Sequence, residues 1–192
     1  MFKELVNKNR SYRRFYEDIK IENETLVDLI NTARNIPSTA NSQSLKFVIV
    51  NSEETNEKIF ETLAWAGRLK DWKGPEKGER PSAYIVILCE LSLACNRLYD
   101  EGIAAQTIML AAAEKGLGGC MLGSIDKKKI ASILELDSEK YSVDLVLALG
   151  KPKEKVVLID APESGDIAYF RDADSVHYVP KRKIDELIIG IK

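Results

Sequence analysis

Three stretches hold most of the side chains able to do chemistry. They are the basic "KNRSYRR" at 8–14, the polar "PSTANSQS" at 37–44 and the basic "KRK" at 181–183. Clustered guanidinium and ammonium groups suit a small anion, arginine as a planar bidentate donor and lysine as a point charge. The middle stretch poses a different question. It joins "NETLVDLINTARNI", which has helical spacing, to the strand-like "KFVIVN", a connection that about two or three residues could make. Small polar residues with one proline and no glycine are more than a turn needs. The segment reads either as a solvated loop or as one that grips a polar ligand.

Few other side chains offer chemistry. His177 is the single histidine, which excludes HExxH and any multi-histidine metal site. In principle it could act as a general base, but a lone histidine in a polar loop is expected to be solvated. Cys89, Cys95 and Cys120 form no CxxC and leave an odd count, so reduced, mostly buried thiols are expected. "GLGGCM" at 116–121 lacks the third glycine of a dinucleotide loop, because position 121 is Met121, and it ends a helix rather than opening one. "GKP" at 150–152 is not a phosphate loop, and no GxSxG is present for a hydrolase nucleophile. A chain so poor in reactive side chains points to a bound cofactor as the source of chemistry.

The elements that must position these groups alternate. A short helix is expected at 2–8, then a helix over 24–35 capped by Asn23, with Leu26, Leu29, Ile30 and Ala33 on one face. Residues 46–51 read as a strand, and Ser52 followed by Glu53 and Glu54 starts a helix reaching about residue 65. The stretch 66–82 is charged and rich in Gly and Pro, hence a surface loop. "AYIVILCE" at 83–90 has the continuous apolar character of a central strand covered on both faces. From Gly102 to Ala113 only Gln106 and Thr107 are polar, so the helix at 96–115 is expected to be buried all round, inside the domain or at a subunit interface. The glycines of "GLGG" suit its C-cap. A short strand near 119–123, a helix capped by Asp126 and a buried strand at 141–150 follow, and the tail reads as irregular until a helix near 183–190. The fold class is α+β, or mixed α/β, with one central sheet in a single domain, 1–192.

Composition bounds the partners. The chain has 192 residues, 45% hydrophobic and 30% charged, and a net charge of −2, which argues against nucleic acid and anionic membrane as partners. No apolar run reaches the length of a membrane span, and "MFKELVNKNR" lacks a signal-peptide core, so a cytoplasmic protein is expected.

Four segments in order resemble the nitroreductase family of FMN-dependent oxidoreductases. "NRSYRRF" at 9–15 is similar to the family's Arg-Arg-Ser-x-Arg-x-Phe. Pro37, Ser38, Asn41 and Gln43 match Pro-Ser-x-x-Asn-x-Gln. "DEGIAAQTIMLAAAEKGLGGCMLGSID" at 100–126 resembles the family's central helix, Gly-Leu-Gly and short strand, and "VPKRKIDELI" its closing basic segment. The resemblance implies a mainly antiparallel sheet flanked by helices, with the long central helix at the interface of a homodimer.

It also implies a site. Arg10, Lys181 and Arg182 would bind the FMN phosphate, with Ser11 as a neutral donor. Arg13 would face the N1/O2 edge, where negative charge grows on reduction. A cation about 4 Å away contributes roughly 4 kcal/mol there at an effective dielectric of about 20, an upper guide. The loop holding Pro37, Ser38, Thr39, Asn41 and Gln43 would reach the flavin of the other subunit, with Gln43 either contacting it or holding the loop in shape. At 121–124 the backbone N–H of Gly123 or Ser124 would meet flavin N5, with Leu122 on a ring face. Hydride would pass from NADH or NADPH through N5 to a nitroaromatic, quinone or other small electrophile by a ping-pong mechanism. The competing reading is a flavin-binding redox sensor or FMN store without turnover.

The sequence departs from the family pattern at two places. Asn9 replaces a frequent arginine, so one phosphate contact is either missing or supplied from 181–183. Ser44 and Leu45 replace Pro-Trp after Gln43. Trp65 is expected to pack, and Trp72 either packs or lines the substrate side.

Overall fold

The run "AYIVILCE" forms β3 (Ala83–Glu90), with every side chain but that of Glu90 buried. A computed structural model describes residues 2–93 and 97–192 of the chain. On one side β3 pairs antiparallel with β2 (Leu45–Val50), on the other with β5 (Tyr141–Pro152). β5 is long enough to pair also with β4 (Gly118–Leu122) and, at its end, with β1 (Phe15–Tyr16), both antiparallel. The five-stranded sheet is therefore antiparallel throughout.

The pleat divides the core in two. Ile85, Ile87, Leu147 and Leu149 face α2 (Asn23–Ala33) and α4 (Arg97–Glu114), which bring Leu26, Leu29, Ala105, Ile108 and Met109. Tyr84, Val86, Leu88, Val146 and Ala148 face α3 (Glu53–Phe60) and α5 (Lys127–Ile133), which bring Ile59 and Ile130. Each large apolar side chain buried this way contributes about 1.5–3 kcal/mol. α1 (Phe2–Lys8) opens the chain. The fold class is α+β, helices covering both faces of one antiparallel sheet.

Local chemistry explains the boundaries. Ser52 caps α3 by accepting from the backbone N–H of Thr55 at 3.3 Å, and Asp126 caps α5 by accepting from Lys129 N–H at 3.0 Å. Asn23 does not cap α2. It lies in the first turn, and its Oδ1 accepts from Asn51 Nδ2 at 3.0 Å instead. α3 stops at Phe60, earlier than its sequence suggests, because Thr62 Oγ1 turns back to donate to the Ile59 carbonyl and Trp65 enters the second core. β2 starts at Leu45, which pairs with Cys89, so the departure at Ser44 and Leu45 does not disturb the strand.

Of the two alternatives for α4, burial inside the domain is excluded, which leaves the subunit-interface alternative: α4 is not buried all round within the chain. Ala104, Ala105, Ile108, Met109 and Ala112 are covered, while Gly102, Ile103 and Gln106 face outward, because the sheet lies on one side only. The tail is not irregular either. β6 (Val156–Asp160) and β8 (His177–Lys181) pair in parallel, and β7 (Phe170–Arg171) adds antiparallel to β8, forming a second, three-stranded sheet. α6 (Ile184–Leu187) is shorter than the stretch 183–190. Cys89 and Cys120 are free and buried, and Cys95 lies outside the described residues. Among the described residues, no helix is long and apolar enough to cross a membrane.

Candidate functional site

The basic segment lies against the edge of β4. Ser11 forms a parallel bridge to Gly119, and the backbone N–H of Tyr12 donates to the Gly119 carbonyl at 2.9 Å. This approach explains the glycines of "GLGG". A Cβ on Gly118 would lie 2.5 Å from the Tyr12 ring, and one on Gly119 would overlap the carbonyl oxygen of Ala148. Only Gly116, with φ +71°, is in the left-handed conformation of a C-cap.

Beside this contact lies a cavity of about 370 Å³. Arg10, Arg13 and Lys181 bring three cations to its wall, Asn9, Ser11 and Gln106 add neutral polar groups, and among the described residues no carboxylate lines it. Met109, Met121, Val156 and Val179 supply apolar surface. The Nε atoms of Arg10 and Arg13 are buried without a hydrogen-bond partner in the protein. Such a cavity suits an anion with an apolar body, the cations at one part and the methionines and valines at another.

The tail closes behind Arg13. Its backbone N–H donates to Glu154 Oε1, and Glu154 Oε2 accepts from Arg171 Nη2 at 2.9 Å. Tyr169 places its ring centroid 5.1 Å from the Arg13 guanidinium carbon. His177 is 1% exposed, contrary to the expectation of a solvated histidine. Burial first, then the Arg13 and Arg171 cations, lower its pKa to about 4, so the ring is neutral near pH 7 and is a poor base. Burial also raises the pKa of the Cys120 thiol, which keeps it protonated and unreactive.

The structure thus brings Arg10, Ser11, Arg13 and Lys181 together and leaves other expected residues elsewhere. Arg182 donates to Glu186 at 3.1 Å, off the cavity wall. No residue from Pro37 to Gln43 lines the cavity of its own chain. This loop is held by α4: the backbone N–H and the hydroxyl of Thr39 donate to Asp100 Oδ1 at 2.9 and 3.1 Å. Ser38 Oγ accepts from Gln43 N–H at 3.3 Å, and Gln43 Nε2 donates to the Asn41 carbonyl at 3.4 Å, so Gln43 does help shape the loop. Ala40, Asn41 and Gln43 all have positive φ, a conformation that favours glycine, yet the loop has none.

On β4 the strand alternation turns Leu122 into the second core at 5% exposure and gives Met121 the cavity position. Gly123 and Ser124 are exposed at the strand end, where the Ser124 carbonyl accepts from Ala64 N–H at 3.0 Å. The wall residues Gln106 and Met109 sit in the helix already singled out. Val179 opens the closing basic segment and His177 is the single histidine, whereas Val156 and Tyr169 carry no local signal that could have marked them.

A larger depression of about 730 Å³ lies between the 66–82 loop and β7. Two of its arginines are already engaged, Arg14 with Glu79 at 2.5 Å and Arg171 with Glu154 at 2.9 Å. Trp72 packs there, its ring 4.2 Å from the Arg171 guanidinium carbon, and Trp65 is buried as expected.

The sequence signature of the Nitroreductase family matches residues 6–151, about three quarters of the chain. YdgI of Bacillus subtilis, provisionally named an NAD(P)H nitroreductase, is 26% identical over 187 residues, covering 80% of this chain and 90% of its own. An FMN-dependent nitroreductase from Clostridium difficile R20291 superposes with a TM-score of 0.65 at 25% identity, over 79% of this chain and 87% of that one. A nitroreductase family protein from Streptococcus pneumoniae TIGR4 shares the fold over 100% of both chains, with a TM-score of 0.72 at 19% identity. The fold, the arginine segment against β4 and these likenesses agree: the chain belongs to the nitroreductase family.

Proposed function

We propose that the chain, acting as one domain over 1–192, is an FMN-dependent oxidoreductase. It would take hydride from NADH or NADPH and deliver it to a nitroaromatic, quinone or other small electrophile in a ping-pong cycle. The observation that carries this reading is the convergence of Arg10, Arg13 and Lys181 on one cavity, with no carboxylate among its described residues. When bound, FMN supplies a ring that accepts and returns a hydride at N5.

The chain's own residues then have distinct roles. Arg10, Ser11 and Lys181 hold the phosphate through charge-assisted hydrogen bonds. Arg13 offers a fixed cation to the N1/O2 edge. The backbone N–H of Gly123 or Ser124 serves the N5 side, and Met121 takes the ring-facing place first assigned to Leu122. No side chain of the cavity needs to transfer a proton, in keeping with a buried, neutral His177.

The polar loop 37–43 serves a second copy of the chain in this reading. Its absence from the cavity wall of its own chain fits a role in trans, with Ser38, Thr39 and Asn41 as hydrogen-bonding groups. Exposed apolar side chains support a homodimer: Tyr99 at 72% and Ile103 at 41% on α4, Leu187 at 60% and Ile189 at 98% in the tail. A cytoplasmic setting fits the unpaired Cys89 and Cys120.

The test is steady-state oxidation of NADH and of NADPH by FMN-loaded protein with a nitroaromatic or a quinone acceptor. Turnover with either acceptor supports the enzyme. FMN-loaded protein without turnover indicates the flavin sensor or store instead.

A further inference from the structure

Arg13 is held by groups from the tail, all of them outside residues 6–151, which carry the family signature. The Glu154 side chain has 0% exposure and binds both the backbone N–H of Arg13 and the guanidinium of Arg171. The Tyr169 ring stands over the Arg13 guanidinium, and the His177 ring lies 5.2 Å from that of Tyr169. Arg13 Nη1 is 3.4 Å from His177 Nε2.

The chemistry of this last contact fixes a tautomer. A guanidinium has donors and no acceptor. Nε2 presents its lone pair to Arg13 in this contact, and a neutral imidazole then carries its proton on Nδ1, which is buried without a hydrogen-bond partner in the protein. The charged groups acting on the ring are Arg13 from the basic segment and Arg171 from β7. Burial first, and then these two cations, keep the ring neutral and hence able to accept. The Arg13 side chain is held at both ends, its backbone by Glu154 and its guanidinium by His177, Tyr169 and the Ser11 carbonyl.

We propose that Glu154 and His177 are positioning residues for Arg13, fixing its guanidinium against the cavity and so setting the charge that a bound flavin ring feels. The proposal rests on the FMN reading above. Neither residue exchanges a proton with the substrate; both act through Arg13.

His177 is the only histidine in the chain, so a single ¹⁵N-correlated NMR spectrum of the apoprotein reads its state without assignment. The expected result is a neutral ring protonated on Nδ1 and unchanged from about pH 8 to about pH 5.5. A proton on Nε2, or titration near the ordinary histidine value, overturns the contact. Two variants then read its consequence. His177→Gln keeps an acceptor, whereas His177→Leu removes it. With FMN bound, His177→Leu should lower the flavin midpoint potential and weaken FMN binding by about tenfold, the lower end of what one hydrogen bond to a charged group contributes. His177→Gln should restore both toward wild type. Equal potentials in wild type and both variants overturn the positioning role. Failure of the wild-type protein to bind FMN defeats the cofactor reading instead, and the NMR result still decides the Arg13–His177 contact.

Discussion

Tyr12 and Gly119 are joined by a hydrogen bond of 2.9 Å from the backbone N–H of one to the carbonyl of the other. Through it the basic segment, whose Arg14 carbonyl accepts from Lys153 N–H and which runs directly into β1 on β5, is also tied to the edge of β4. Arg10 and Arg13 flank that attachment on either side.

Substituting Gly119 tests the attachment. Gly119→Ala would force its new methyl group into the carbonyl oxygen of Ala148, a backbone atom that cannot rotate away. We expect the variant to lose about 1–3 kcal/mol of stability, as overpacked sites do, and to bind FMN more weakly. Urea denaturation at neutral pH measures the first effect. A wild-type midpoint would show that the segment does not need so close an approach.

The cations should divide by role. Arg10→Ala and Lys181→Ala each remove a charged donor and should each weaken FMN binding by about 1.5–3 kcal/mol, roughly tenfold or more. Arg13→Ala should weaken binding less and lower the flavin's reduction potential. Fluorescence titration and a spectroelectrochemical potential separate the two. An unchanged potential in Arg13→Ala would move that residue to the phosphate or the surface.

Acid should destabilise the fold in two stages. The His177 pKa is depressed from about 6.5 to about 4, so its contribution is present above the unfolded value and is lost as pH falls from 6.5 toward 4. Hydrogen bonds from Arg14 first, and then Lys153, hold Glu79 down at about 2, so its contribution is present above the ordinary 4.5 and is lost between there and 2. Urea midpoints measured across these ranges should fall twice. His177→Gln should flatten the upper stage and Glu79→Gln the lower. A single fall that neither variant alters would contradict both assignments.

The loop 37–43 makes a prediction about assembly. If it serves a neighbouring copy, dilution to monomer should release FMN, seen by coupling sedimentation to flavin absorbance. A stable monomer that retains its flavin would return the loop to a purely structural role, held by Asp100.

Much of this was legible in the residues. The continuous apolar run of β3 predicted its boundaries, and Ser52 and Asp126 announced their helices, because caps and burial on both faces are local signals. Arg10, Ser11 and Arg13 were legible as a basic motif. The tail was not, because its strands have only two and five residues, and β6 and β8 find each other only across the intervening chain. His177 therefore looked solvated, although the groups that bury it come from both ends of the sequence. Met121 and Leu122 were exchanged for a similar reason: which neighbour faces the cavity depends on register with β5, and one residue flips the face.

The most direct test of the central claim is the visible spectrum of the purified protein, followed by titration of the apoprotein with FMN. The account predicts a yellow protein, or one that takes up FMN to one flavin per chain and loses that affinity in Arg10→Ala. A colourless protein to which added FMN does not bind would contradict it.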